Sequence, residues 1–304
     1  MMKDFYKFVI SALSVIAIVF IIDFSFGAFL EKKAVFVDQP KYKRISTADE
    51  ELVILGASRA QNQYVTDIIS DGLDISAFNY GYGAQNVYSS YAVLDMLIRR
   101  APVKPKFVIW DFYYTDILDS PGWNTEKLYR FYSAYNYDPA VKAIVELQGT
   151  KKSSLLKSIR LYKFNSKLPR VLLSQRDEVN GGYSPLFNQH QAPIELFTSD
   201  RTLIDNQKFL YVNRLIDLCK SNNISLYVFI APAYYVLKNP KDGDWKEMIK
   251  KTCREKDIQI YDYEQDSLFL SHPEWFFNPM HLNDIGAKEY TKRVVDDIRS
   301  LLSE

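Results

Sequence analysis

The sequence predicts a doubly wound α/β domain carried behind a membrane helix. Three observations point there. Short runs rich in Val, Ile, Leu and aromatic residues alternate with amphipathic stretches of helical period. The early runs end in glycine or at a polar turn, as strands of a buried parallel sheet do. And the chain opens on a mostly apolar stretch that reaches Leu30.

Within that opening stretch the apolar run Phe8–Ile22 is unbroken, and it resumes after Asp23 through Phe24–Leu30. A bilayer takes roughly 20 apolar residues to cross, so the stretch suffices. Lys3 and Lys7 precede it, as in a signal sequence, but no A-x-A site follows and Gly27-Ala28 is a poor substitute. Residues 1–33 are therefore expected as an uncleaved signal anchor, with a cleaved signal peptide as the alternative. Lys32 and Lys33 reduce the charge asymmetry across the span. The short charged head still favours a single-pass, N-in arrangement with the domain at the cell membrane, outside the cytoplasm. Residues 34–50 are polar and carry Pro40, which predicts a stalk.

The α/β domain is expected over 51–304. "ELVILG" (51–56) reads as the first strand and "ISAFNYGYG" (75–83) as the second. Val87–Arg100 has Tyr91, Val93, Leu94, Met96 and Leu97 at helical spacing, and "KFVIWDF" (106–112) follows the breaker Pro105 as strand three. Helix Leu203–Lys220 leads into "ISLYVFIAP" (224–232), and helix Trp245–Arg254 into "IQIYDY" (258–263). A last helix runs from about Asn283 to Leu302. Five such strands make a flavodoxin-like doubly wound sheet, whose sites lie beyond the carboxyl ends of the strands. Residues 117–202 break the rhythm: helical fragments at Asp138–Leu147 and Ser153–Tyr162, then the turn "NGGYSPL" (180–186). That length predicts a mostly helical insertion over the strand ends.

Composition excludes several classes. With 47 % apolar and 25 % charged residues the 304-residue chain is globular, and a net charge of +1 gives no electrostatic case for nucleic acid. Cys219 and Cys253 have no metal-ligand spacing and lie in helical patterns, so two buried free thiols are expected, and neither a metal nor a cofactor is implied.

The polar residues after the strands carry the chemistry. Ser58 opens the helix after strand one, Gly81 and Gly83 follow strand two, Asp111 and Asp116 flank the end of strand three, and His281, one of three histidines, follows strand five. Each alone has an ordinary structural role. Together they place a hydroxyl, a base and N–H donors on one sheet edge, which is what nucleophilic acyl transfer needs. The G-x-S-x-G elbow is absent. His272 and His190 read as loop residues.

The blocks "VILGASR" (53–59), "FNYGYGAQN" (78–86) and "NPMHLNDIGAKEYT" (278–291) resemble those of the SGNH/GDSL esterases and acyltransferases. The resemblance covers about 51–116 and 203–303. It implies Ser58 as nucleophile, Gly81 or Gly83 as oxyanion-hole donor beside the Ser58 N–H, and His281 as base. The "HLN-x-x-GA" run looks like the membrane-anchored, extracytoplasmic members that acylate or deacylate cell-surface polysaccharide. The implied substrate is thus a carbohydrate ester or cell-surface glycan, probed with acetyl esters first, and a membrane acyl-donor protein is an implied partner.

Two departures stand out. The family's third block, G-x-N-D, is here Tyr113-Tyr114-Thr115-Asp116, so Thr115, or else Asn79 or Asn86, must supply the missing oxyanion donor. The fourth block, D-x-x-H, is Asn278-Pro279-Met280-His281, so an amide stands where a carboxylate orients the base; Asp284 and Asp262 are the alternatives. Arg59, Asn79, Tyr183 and Tyr234 are expected to bind substrate. A catalytically degenerate glycan-binding or scaffold protein in a membrane assembly is the competing expectation.

Overall fold

The structure is a computed structural model that describes residues 2–118, 131, 134–147, 159–164, 168–173, 180–187, 195–197, 203–237 and 244–302. His190 and residues 153–158 lie outside the described residues. The chain forms two compact units, Met1–Tyr42 with Leu128–Asp177 and Lys43–Lys127 with Glu178–Glu304.

The second unit holds the sheet. Strands β1 (Leu52–Leu55), β2 (Ala77–Asn79) and β3 (Phe107–Asp111) precede a short β4 (Glu195–Phe197). They are followed by β5 (Ser225–Ile230), β6 (Tyr235–Leu237) and β7 (Gln259–Asp262). Five of these form one sheet in the order β2-β1-β3-β5-β7, every pair parallel. β1 reverses the winding direction, so the crevice beyond its carboxyl end is the switch point where α/β sheets bind ligands. β4 and β6 pair separately, also parallel.

Helices cover both faces. α2 (Ser58–Gln63), α3 (Thr66–Leu73) and the C-terminal helix α10 (Asp284–Leu302) pack on one face. Leu52, Ile54, Ile109, Tyr227 and Phe229 meet Tyr64, Ile69, Ala287, Tyr290, Val294 and Ile298 there. Each fully buried side chain of this size contributes about 1.5–3 kcal/mol by leaving water. Gly72 lets α3 approach α10, since a Cβ there would stand 2.6 Å from Val295 Cγ1. α4 (Val87–Arg100) and α7 (Asn206–Ser221) pack together as a second pair. Asn86 and Asp205 cap them through their side-chain oxygens, which take otherwise orphaned N–H groups. Cys219 on α7 and Cys253 on α8 (Asp244–Glu255) are buried free thiols.

The first unit is built on α1 (Met2–Asp38), which is long and apolar enough to cross a membrane; a signal sequence has the same character. Over the expected stalk at 34–50 the helix runs on to Asp38, and Pro40–Thr47 forms a 3-10 turn. Apolar contacts explain the extension, because Leu30 and Ala34 bury against Phe164 and Val171. Insertion residues 128–177 belong to this unit and 178–202 to the other. In the first unit they form α5 (Pro139–Glu146), with Pro139 in its first turn and Asp138 as its cap, and α6 (Leu168–Leu173). The expected fragment 153–162 is represented by a 3-10 turn at Leu161–Phe164.

Candidate active site

β1 ends at Gly56, whose φ of +140° only glycine adopts readily, and a Cβ there would come within 2.8 Å of the Asp111 carbonyl oxygen. The turn delivers Ser58 to the first position of α2. No side chain caps this helix, so the Ser58 hydroxyl is not used as a cap. It faces His281 instead, with Oγ 2.8 Å from Nε2.

His281 is placed by a small antiparallel hairpin of β8 (Phe276–Asn278) and β9 (His281–Leu282). The chain then enters α10, where Asn283 Oδ1 accepts the Gly286 N–H. Asn278 Oδ1 lies 3.0 Å from His281 Nδ1 and also accepts the Met280 N–H at 2.9 Å. That backbone donor fixes which end of the amide faces the ring. An amide oxygen only accepts, so Nδ1 carries the proton and Nε2 is left to accept from Ser58. The amide therefore holds the tautomer a general base needs.

Neither alternative carboxylate replaces it. Asp284 accepts from Tyr183 Oη at 3.0 Å and pairs with Lys288, while Asp262 pairs with Lys246 and Lys250. Burial, helped by the nearby Arg59 charge, lowers the His281 pKa to about 4, so the ring is neutral at physiological pH.

Ser58 and His281 open onto a pocket of about 100 Å³ walled by Ala57, Ala84, Gln85, Tyr113, Tyr114, Thr115 and Met280. Arg59 forms its inner side. Expected as a substrate ligand, Arg59 is instead fixed within the protein: Nη2 donates to the Ala231 carbonyl at 2.5 Å, Nε stands 3.7 Å from Asp111 Oδ2, and the guanidinium stacks on Tyr113 at 4.5 Å. Burial opposes its charge, but Asp111 together with Tyr113, Tyr235 and Glu264 more than offsets this and Arg59 stays protonated. Burial likewise pushes Asp111 up to about 6 against the pull of Arg59, so both are ionised at pH 7. Tyr64 donates to Asp111 at 3.0 Å and meets Tyr290 at 3.1 Å, completing a buried polar layer beside Arg59.

The other expected site residues divide clearly. Asn79 is fully buried and does not reach substrate: Nδ2 donates to the Ala60 and Tyr64 carbonyls, and Oδ1 accepts the Gly81 N–H at 2.9 Å. Gly81 is thereby committed. The Gly83 N–H donates to Gln61 Oε1 at 2.7 Å. Thr115 lies in the pocket wall, and its carbonyl accepts from Lys208. Asp116 caps the 3-10 turn Tyr114–Asp116 by accepting the Tyr113 N–H. Tyr183 sits on Asp284 and not in the pocket. Tyr234 is buried, its ring on Phe276 and its N–H on the Pro279 carbonyl, so it supports the base-bearing loop. His272 pairs with Glu274 and stacks on Trp275.

Sequence reasoning missed Met280, Tyr114, Ala84 and Gln61. Met280 and Tyr114 lie inside blocks already singled out and could have been inferred from them. Ala84, at φ +60°, also lies inside such a block, whereas Gln61, one helical turn after Ser58, carries no such signal.

No protein-family model matches the sequence, and no curated protein does. Among solved structures, a GDSL-like lipase from Bacteroides thetaiotaomicron VPI-5482 is similar at 11% identity, over 86% of this chain and 99% of that one, with a TM-score of 0.45. A candidate acylhydrolase from Bacteroides fragilis NCTC 9343 is similar at 11% identity, over 86% and 94%, with a TM-score of 0.43. A candidate lipolytic protein of the G-D-S-L family from Desulfitobacterium hafniense DCB-2 gives 11% identity, 81% and 97%, and 0.42. Over most of its length, then, this chain is structurally similar to the GDSL/SGNH lipases and acylhydrolases.

Proposed function

We propose that the protein is a serine esterase or O-acyltransferase acting on short acyl esters of carbohydrate at the cell surface, held to the membrane by α1. The Ser58–His281–Asn278 chain of hydrogen bonds, 2.8 and 3.0 Å, carries this reading. Ser58 Oγ attacks the ester carbonyl as its proton passes to His281 Nε2. The oxyanion is received by the Ser58 N–H, which as a first-turn amide has no helical acceptor, and by the Thr115 hydroxyl. Collapse expels the sugar alkoxide, which takes the proton from Nε2. Water, or a second sugar hydroxyl, then gives its proton to Nε2 and attacks the acyl carbon, and Ser58 Oγ leaves with that proton returned from Nε2.

Pocket size supports a short acyl group. A protein cavity of about 150 Å³ accepts benzene, and this one is about 100 Å³. Tyr114, half-buried at the pocket wall, offers a ring on which a sugar could lie. A membrane acyl-donor protein would serve as the source of acyl groups if transfer is the main reaction.

A fluorophosphonate probe tests the reading: it should label the purified full chain on the peptide containing Ser58. Labelling of another residue, or none with fluorophosphonates of several sizes, would favour glycan binding without turnover. The committed Gly81 and Gly83 amides and the uncharged Asn278 are the observations behind that second reading.

Asn278→Asp tests the role of the amide. The base works when neutral, so wild-type turnover should fall only as pH drops through the His281 pKa of about 4. A carboxylate at hydrogen-bond distance stabilises the imidazolium and should raise that pKa by about 1–3 units. The acid limb then moves to higher pH, and hydrolysis of a small acetyl ester at pH 7 rises above wild type. Asn278→Ala should fall below it. An unmoved acid limb in Asn278→Asp would remove Asn278 from the mechanism.

A further inference from the structure

Asp23 interrupts the apolar face of α1, and the structure shows what holds it. Its two carboxylate oxygens accept the backbone N–H groups of Arg160 and Leu161, at 3.0 and 2.9 Å, at the start of the 3-10 turn Leu161–Phe164. The Arg160 guanidinium stacks on the Phe24 ring at 4.3 Å and donates to the Phe24 carbonyl. Gly27 is needed there, because a Cβ would stand 2.5 Å from Arg160 Cβ. Further along, Leu30 and Ala34 close over Phe164 and Val171, and Lys33 donates to the Leu172 carbonyl.

Below Asp23 the picture changes. From Phe5 to Ile22 the large apolar side chains other than Val9 are exposed, with none of the described residues covering them. That length is about 27 Å at the helical rise, close to the roughly 30 Å hydrocarbon layer of a bilayer, with its one charge, Lys7, near the far end, where its stem can extend to the headgroups. Between Asp23 and Phe29 the helix is two-faced. Phe24, Phe26 and Phe29 stay exposed, while Gly27 is covered by Arg160; Ile159, beside Arg160, is exposed as well. One arginine and a satisfied carboxylate, beside exposed phenylalanines, over about 10 Å of helix match the boundary where acyl chains meet the polar headgroup layer and basic side chains gather.

We propose that Asp23–Phe29 together with Ile159 and Arg160 form a collar that sits in the lipid headgroup layer, and that α1 is retained because its second half is part of the folded unit. The occupant of this surface is a phospholipid bilayer, since the exposed face is continuous with the apolar helix that spans it. Cleavage near Gly27-Ala28 would remove the carboxylate that caps residues 160 and 161 and part of the seat of Arg160. This inference is independent of the proposed chemistry at Ser58.

The full chain carrying Ile159→Cys, labelled with an environment-sensitive dye and reconstituted into phosphatidylcholine–phosphatidylglycerol vesicles, gives the test. Cys219 and Cys253 are buried and should not compete for the label. Dye emission should shift to the blue of the free cysteine adduct and be quenched at least twofold more by headgroup-bound nitroxide than by nitroxide at the acyl-chain end. Water-like, unquenched emission overturns the collar. Blue-shifted emission that neither nitroxide quenches also overturns it, by showing that protein, such as a second copy of the chain, covers the site. Intact mass of the membrane-extracted protein should include the residues before Ala28; a chain beginning after that point overturns retention.

Discussion

Ser58→Ala and His281→Ala are each expected to lower kcat on a short acyl ester by about 10⁴- to 10⁶-fold, and the double variant to lose no more than either alone. The reason is that the two groups act as one device. Without the hydroxyl there is no acyl-enzyme for the imidazole to assist. Without the imidazole, 2.8 Å away, the hydroxyl must attack with its proton on. Residual rate above water would come from the oxyanion donors and the pocket, which both variants keep. Initial-rate kinetics on the four proteins, with circular dichroism to confirm the fold, measure this. Additive losses would mean that Ser58 and His281 do separate jobs, and the mechanism proposed above would fail.

The second large effect is on stability. Asp111→Ala should destabilise the protein by about 3–5 kcal/mol, because it leaves Arg59 charged and buried without the carboxylate it pairs with. Arg59 is 2 % and Asp111 1 % exposed, so water cannot take over. Tyr64 would also lose its acceptor. Asp111→Asn keeps that acceptor and removes the charge, and should fall between. The double variant Arg59→Met, Asp111→Leu should recover much of the loss, since a buried ion pair exchanged for apolar groups of similar volume is often neutral or stabilising. Thermal melts of the four proteins order them, and an Asp111→Ala melt equal to wild type would refute the account.

The scaffold was legible because its signals are local. Val87–Arg100 reads as a helix from spacing alone, and it is one from end to end. The strands end where glycine or a change of polarity marks them, at Gly56 and after Asn79. Ser58, Asn278 and His281 stand at turn positions whose offset from strands and helix is itself a sequence feature, so their convergence could be expected. Burial was not legible. Arg59 and Asn79 are polar residues next to the nucleophile and after a strand, the usual place for ligands, yet both point into the protein and spend their hydrogen bonds there. The direction of an N–H was equally hidden: Gly81 and Gly83 are glycines at the right place whose amides face Asn79 and Gln61. The helix beyond residue 33 was masked by Pro40 and by charged neighbours, because its apolar partners lie more than a hundred residues away in the chain.

That separation has a consequence for when the protein can act. Ser58 and His281 are 223 residues apart in sequence and hydrogen-bonded in space. At about 5–20 residues per second of synthesis, the base follows the nucleophile by roughly 10–45 s. Through that interval the emerging chain has a serine but no partner for it. The hairpin β8–β9 and helix α10, which hold His281, are also made after all five strands of the sheet. A chain interrupted before residue 281 therefore lacks the hydroxyl–imidazole pair altogether, and the order of the polypeptide itself makes that pair one of the last features of the sheet edge to form.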